Sequence, residues 1–488
     1  MKNIETSIKL IILILFIPLL SCNNDNDSFI DTKPVAAFKV DQLVFDEGSP
    51  VIFTDISFDK NGSITSWNWN FGNNETSIEQ NPVYIYPEIG DYEITLSVID
   101  NTGNSNVNTF LKSISIIEPS TARIKPTLLW SYSVPYKSNQ SSIAISDDGT
   151  VYFGTDGKSS DPTRGDYNIL AVKDGSLQWG YLSGEVVRSS PSISEDGTIY
   201  IGDYNGDFFA FKSDGTQKWK TTLKRFKYAS PAIGADGTIY IGGGDKDTKF
   251  RAVNPDDGSL KWEFEASGKV RSTPSIDSDG VIYFTDYNTL YALNADGTEK
   301  WRTAYGDYTA CATVLIESIR TIYVADKTKH LFAFNMDDGS MKWNNDYSAT
   351  DKTELGGPAV ATDGTIYLGG EDRKMIAYNP TDGSVKWEVE TSGKIKAVPA
   401  IDDDGNIYFG DEAGFFYVIN SEGETKWKAS QLDGAITTSP AIGNNGTIFV
   451  LTSNPDNKGT LYAFKTKATG PSSGGWPMRS KDAMHTGR

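Results

Sequence analysis

Chemistry that needs an imidazole or a thiolate has almost nothing to work with in this chain. Its 488 residues include two histidines and two cysteines. His330 stands just before a strand-like stretch, His485 lies near the C-terminus, and Cys22 and Cys311 are far apart. A transition-metal cluster or a His-based triad cannot be built from so few groups, and no metal site is expected. Carboxylates are plentiful, but most sit in Asp-Gly pairs, where the turn itself accounts for them. A second recurring acid, at Asp156, Asp203, Asp286, Asp326, Asp372 and Asp411, is read as turn chemistry, the side chain capping nearby backbone N–H groups. Asp402-Asp403-Asp404-Gly405 lacks the full spacing of a calcium loop. No pair of carboxylates stands out as a catalytic acid and base.

One set of positions varies as a binding surface would. Three residues before a recurrent proline, or its equivalent, the chain carries Gln140, Arg188, Tyr228, Arg271, Thr309, Leu355, Lys396 and Thr437. Scaffold positions stay the same from repeat to repeat, whereas positions that meet a ligand differ. If the proline strand is innermost in its repeat, these residues ring one mouth of a central channel, with Lys227 and Tyr308 beside them. Arg188, Lys227, Tyr228, Arg271, Tyr308 and Lys396 are therefore the candidate ligand-binding residues. Basic and aromatic groups together suit an anionic ligand, such as a uronate or sulfate of a glycan.

The elements that must hold such a mouth are legible from the repeat. Tryptophans at 179, 219, 262, 301, 343, 387 and 427 recur at intervals near forty residues. That period, with strand patterning, predicts a β-propeller with one four-stranded blade per repeat. In the repeat around Arg188, an inner strand at 190–194 meets the Asp196-Gly197 turn and Thr198–Gly202 runs back. Phe208–Phe211 follows, and Asp214-Gly215 leads into the Trp219 strand. Asp-Gly suits two-residue hairpins because both residues tolerate positive φ. Glu317-Ser-Ile-Arg320 replaces the turn in the fifth repeat, and counting that repeat gives eight blades. The eighth lacks its outer strand. Either the Trp130 segment at 128–134 completes it and closes the ring, or Trp476 fills that place and Trp130 is a cap.

Residues 34–118 read differently. Short alternating segments, among them Val51–Asp55, Trp67–Phe71 and Tyr92–Ile99, are separated by turn clusters, a pattern of about seven strands in a β-sandwich. Trp67 and Trp69 share parity and are expected to face the core. Residues 119–126 form a linker and 127–488 the propeller. Residues 1–21 are an apolar export signal too short for a comfortable membrane span, followed by a polar tether over 22–33. With 45 Lys+Arg against 64 Asp+Glu, the formal charge of −19 argues against general binding to nucleic acid or anionic lipid.

Three resemblances add to this reading. Leu19-Leu20-Ser21-Cys22 resembles the lipobox of bacterial lipoproteins, which implies a lipid on Cys22 and anchorage to the outer membrane; the acidic Asn23-Asn-Asp-Asn-Asp27 that follows is similar to the export signal of surface lipoproteins, which implies exposure at the cell surface. With Cys22 so used, Cys311 has no disulfide partner. Trp67-Asn-Trp-Asn-Phe-Gly72 and Tyr84-Ile-Tyr–Gly90-Asp-Tyr92 resemble the PKD family, Ig-like sandwiches that serve mostly as spacers; Asn73-Asn74 replaces the usual acidic residue. The repeats resemble PQQ-like propellers, and so does the tail Trp476-Pro-Met–His485-Thr-Gly487. That family includes quinoprotein dehydrogenases and a propeller lipoprotein of the barrel-assembly machinery. The dehydrogenase branch implies a vicinal cysteine pair, a Ca²⁺ site and a catalytic Asp, and no cysteine pair exists here, so neither PQQ nor Ca²⁺ is expected. The fold expectation is all-β. The functional expectation is a monomeric, non-enzymatic envelope lipoprotein whose propeller binds a glycan or protein partner, with an outer-membrane assembly scaffold as the alternative and a quinoprotein or polysaccharide-active enzyme behind both.

Overall fold

In the computed structural model, residues 33–40, 43–109, 113–117, 125–157, 167–223, 229–244, 247–306, 313–326, 330–345 and 357–488 are described. Cys22, Lys227, Tyr228, Tyr308, Thr309, Cys311 and Leu355 lie outside them. The chain divides into two units, residues 1–119 and 120–488.

The first unit is the expected sandwich. Among its described residues ten strands form two three-stranded sheets and one four-stranded sheet, against about seven strands expected. The additional ones are only two or three residues long, too short to leave an alternating pattern in sequence. Trp69 is fully buried against Phe38 and Phe53, and Trp67 is half-buried on the same core, its indole N–H donating to Asp55 Oδ2 at 2.8 Å. Tyr84 stacks on Phe71 at 4.3 Å, so these aromatics are packing groups.

The second unit is an eight-bladed propeller, each blade a four-stranded antiparallel sheet. Blade 2 shows the plan: inner strand Ser192–Ile193, second strand Ile199–Gly202, third strand Asp207–Phe211 and outer strand Gln217–Thr222. Second and third strands read as continuous apolar runs because both faces are covered by neighbouring blades. Outer strands alternate, as in Glu299–Ala304, because one face meets water.

The recurrent tryptophans join one blade to the next. Trp179 lies against Gly215 of the following blade, where an added Cβ would come within 2.7 Å of the ring, and its indole N–H donates to Ser213 O at 2.8 Å. Trp219, Trp262, Trp301, Trp343 and Trp387 repeat that bond to Pro255, Ala295, Met336, Pro380 and Ser421 carbonyls. Gly215 is required twice over, by contact with the indole and by its φ of +85°. In the fifth blade the predicted irregular turn is a single 3₁₀ turn, Glu317–Ile319, ended by Arg320 in the left-handed region.

Trp130 closes the ring. Its strand, Thr127–Val134, pairs with Gly459–Lys465 from the far end of the unit, from Thr127↔Lys465 to Val134↔Gly459. Trp476 has a different role. The segment around it pairs with Val360, and the tail then runs along the inner strands. Backbone N–H groups of Ile401, Ile145, Ile193, Ile233 and Ile276 donate to the carbonyls of Pro477, Ala483, Met484, Thr486 and Gly487. Inner strands have no neighbour on the channel side, and the tail satisfies these buried donors. His485 is buried here, and its pKa is driven down to about 3 by burial and by the nearby Arg479 charge.

Trp476→Ala should therefore lower propeller stability by about 3–5 kcal/mol, the usual cost of emptying a buried tryptophan site, read as a lower unfolding temperature in calorimetry. The tail also carries a pH signature. An unfolded His485 takes up a proton near 6.5 and the folded one only near 3, so its contribution is lost as pH falls through that window. A His485→Asn variant should lose less stability than the parent between neutral pH and pH 4, measured as the difference in melting temperature.

Candidate functional site

Each blade has two ends. The hairpin turns after the inner strand and after the third strand lie at one, where the tail also sits, since Thr469 donates to Asp403 and Arg488 pairs with Glu195. The loops after the second strand and before the inner strand lie at the other, here called the rim. The rim holds the sequence-predicted residues that the structure describes.

Arg188 lies on the rim, and a carboxylate holds it. Its Nε and Nη2 donate to Asp156 Oδ1 and Oδ2, each at 3.0 Å, in a bidentate pair that fixes the guanidinium between blades 1 and 2. Lys396 pairs with Glu412 at 2.7 Å, and its neighbour Lys394 with Glu371 at 2.8 Å. Arg271 is half-buried at the corresponding place in blade 4. Arg188 and Lys396 thus stand beside compensating carboxylates, with which an anionic ligand would have to compete.

The recurrent acids are turn residues at five of the six predicted positions, and four of these stand directly after the second strand. Asp203 Oδ1 accepts from Asn205 and Asp207 N–H, Asp286 from Asn288 and Thr289, Asp326 from His330, and Asp411 from Phe415. In blades 1 and 6 the equivalent places belong to Thr155 and Gly370. Asp156 stands one residue further on and holds Arg188; Asp372 caps Lys374 N–H.

The second oxygen of these acids separates the blades. Asp286 Oδ2 accepts from Tyr291 and Asp411 Oδ2 from Tyr417, each at 2.9 Å. At the same register blade 2 has Phe209, which faces Ile201 as Tyr417 faces Phe409. Asp203 Oδ2 is buried with no hydrogen-bond partner, and burial raises the Asp203 pKa to about 6. In blade 3, Gly243 takes the acid's place and Arg251 the tyrosine's. Asp247 enters from the other side of the loop, where a Cβ on Gly243 would lie 2.7 Å from the Asp247 Cβ. Arg251 is 3% exposed and bonds Asp247 and Glu263. This buried network went unpredicted. Its signal in sequence is the charged Arg251 within an otherwise apolar third strand.

Among the described residues no group of three or more His, Cys, Asp or Glu side chains has metal-binding geometry. What the described part of the rim offers is a set of positions that differ from blade to blade, with ion pairs at Arg188–Asp156, Lys394–Glu371 and Lys396–Glu412. A sequence model for the family described as "Outer membrane protein assembly factor BamB" matches residues 164–279, 211–356 and 346–470, which together make up more than half of the chain. This chain belongs to that family. A PKD-domain model matches residues 31–113, so the protein is a BamB-type, PQQ-like propeller with a PKD domain in front.

Solved structures agree on the fold. BamB from Moraxella catarrhalis superposes with a TM-score of 0.55 at 17% identity, covering 69% of this chain and 99% of that one. A europium-containing methanol dehydrogenase gives 0.57 at 13% identity, covering 70% and 93%. The quinohemoprotein alcohol dehydrogenase of Comamonas testosteroni gives 0.58 at 13%, covering 71% and 78%. Curated relatives match over a short stretch. Pre-pro-metalloprotease PrtV of Vibrio cholerae is 36% identical over 101 residues, 19% of this chain and 11% of that protein. Collagenase ColA of Clostridium perfringens is 31% identical over 99 residues, 20% and 9%. The match thus spans about a tenth of these relatives' own length.

Phe209→Tyr supplies the missing hydroxyl to Asp203. A raised carboxylate pKa gives stability at low pH that is lost as pH rises from about 3.8 to about 6. The variant should gain about 1 kcal/mol over the parent at pH 7, the typical worth of a hydrogen bond, and little at pH 3.5. Paired melting curves at the two pH values measure it.

Proposed function

We propose that this chain is a non-enzymatic, lipid-anchored protein of the outer membrane whose propeller holds a protein partner on its rim, as a scaffold in outer-membrane protein assembly. Cys22 carries the lipid, the PKD domain is a spacer, and the propeller works as a monomer without PQQ, Ca²⁺ or another cofactor. The observation that carries the reading is the contrast between the two kinds of position. The tryptophan bridges repeat from blade to blade, whereas the described rim positions differ and carry ion pairs such as Arg188–Asp156 and Lys396–Glu412. A surface of paired charges suits a protein partner better than a small anion, because it presents both signs side by side. Membership of the BamB family supports the same direction. The two cysteines, Cys22 and Cys311, cannot form the vicinal pair that the dehydrogenase resemblance implies.

A second reading, glycan binding at the cell surface, is favoured by the acidic tether Asn23–Asp27 and by the aromatic cleft described below.

The scaffold reading predicts that the tagged chain co-purifies with the outer-membrane barrel-assembly machinery. Replacing Arg188 and Lys396 with Glu should reduce recovery at least tenfold with the fold intact, and Cys22→Ala should release the chain from membranes. Co-purification indifferent to the rim variants, or an unchanged yield of outer-membrane barrels after deletion of the gene, would contradict it.

A further inference from the structure

The junction of blades 8 and 1 differs from the six that follow it around the ring. Six tryptophans donate their indole N–H to a carbonyl in the next blade's turn between third and outer strands. In blades 2 to 7 that turn is five or six residues long, as in 212–216 and 254–259. In blade 1 it is the two residues Asp174-Gly175, between strands Ile169–Lys173 and Ser176–Tyr181. Both have positive φ, 48° and 74°, as a tight two-residue hairpin requires. The shortened turn withdraws the carbonyl that would meet Trp130. Among the described residues the Trp130 indole N–H has no acceptor, and the closing strand bulges beside it at Leu129.

A cleft of about 360 Å³ opens there, within the range of about 300–1,000 Å³ usual for small-molecule sites. The half-buried Trp130 ring lines it, with Phe449, only 4% exposed, behind at 5.8 Å between ring centroids and tilted by 51°. The opposite lining is polar: Asp174, and Asp147 with Asn444, whose amide donates to Asp147 Oδ1 at 3.4 Å, all exposed. Asp148 also lines the cleft but is committed to Lys173 at 2.9 Å and Ser146 at 2.7 Å. Three carboxylates against the single Lys173 ammonium leave the lining acidic, which disfavours phosphate, sulfate and uronate ligands.

We propose that this cleft binds a neutral pyranoside unit of a glycan. The apolar C–H face of the sugar ring lies against the exposed part of the Trp130 ring. Its hydroxyls donate to Asp147 and Asp174, exchange hydrogen bonds with Asn444, and one accepts from the Trp130 indole. The site is at the opposite end of the blades from the rim, so it operates whether or not the rim holds a protein.

Calorimetric titration of the full chain with maltohexaose, cellohexaose and xylohexaose, with a hexauronate and tetramethylammonium for comparison, tests this. At least one neutral oligosaccharide should bind, the hexauronate should not, and Asp147→Ala and Asn444→Ala should each weaken binding about tenfold, the worth of one hydrogen bond. Trp130→Phe, which keeps an aromatic ring in the closing strand, should weaken it by a similar factor. Arg188→Ala should leave it unchanged, and none of the cleft variants should alter recovery of the rim partner. No neutral oligosaccharide bound at millimolar concentration, binding indifferent to the three cleft variants, or preferential binding of tetramethylammonium would overturn the proposal.

Discussion

Closure of the ring is the constraint on which the rest of the propeller depends. Seven blades are built from contiguous sequence, and the eighth exists only because Thr127–Val134 pairs with Gly459–Lys465. Without that pairing the ring would expose two open sheet edges and lose the junction that buries Phe449 and Leu461. The tail acts on the same problem from inside, where short inner strands leave donors facing the channel. One device joins the ends of the sheet array and the other ties its inner strands together.

This arrangement separates fold from function by position. Tryptophan, glycine and Asp-Gly recur because every blade junction imposes the same geometry. Residues free of that geometry fall at the rim, where Asp203 lacks the tyrosine hydroxyl that Asp286 and Asp411 receive and Arg251 replaces a tyrosine. They also fall at the seam, where a two-residue turn leaves Trp130 without the bond made by six of its homologues. Apart from the 3₁₀ turn Glu317–Ile319 of blade 5, these irregularities gather at the rim and the seam, and both proposed binding surfaces lie there.

The fold was largely legible in the sequence because the signals are periodic: spacing near forty residues, Asp-Gly turns, and the missing outer strand in the last repeat. The choice between Trp130 and Trp476 was not, since each is a tryptophan near an unfilled place and only strand register decides between them. The site was less legible. Position in the repeat places Arg188, but its partner Asp156 lies 32 residues away on another blade, so charge compensation appears only in three dimensions. The cleft at the seam is invisible for a similar reason. The short turn at Asp174 can be read in the sequence, whereas its proximity to Trp130 follows from closure.

The central claim is that the rim carries the partner-binding surface while the repeated scaffold does not. Photo-crosslinking in intact cells, with the reactive group placed in turn on the rim loops, the outer strands and the tail-side turns of every blade, tests it most directly. Crosslinks to one envelope protein concentrated on the rim loops around Arg188, Arg271 and Lys396 are the predicted result. Crosslinks spread evenly over the blades, or confined to the outer strands, would contradict it.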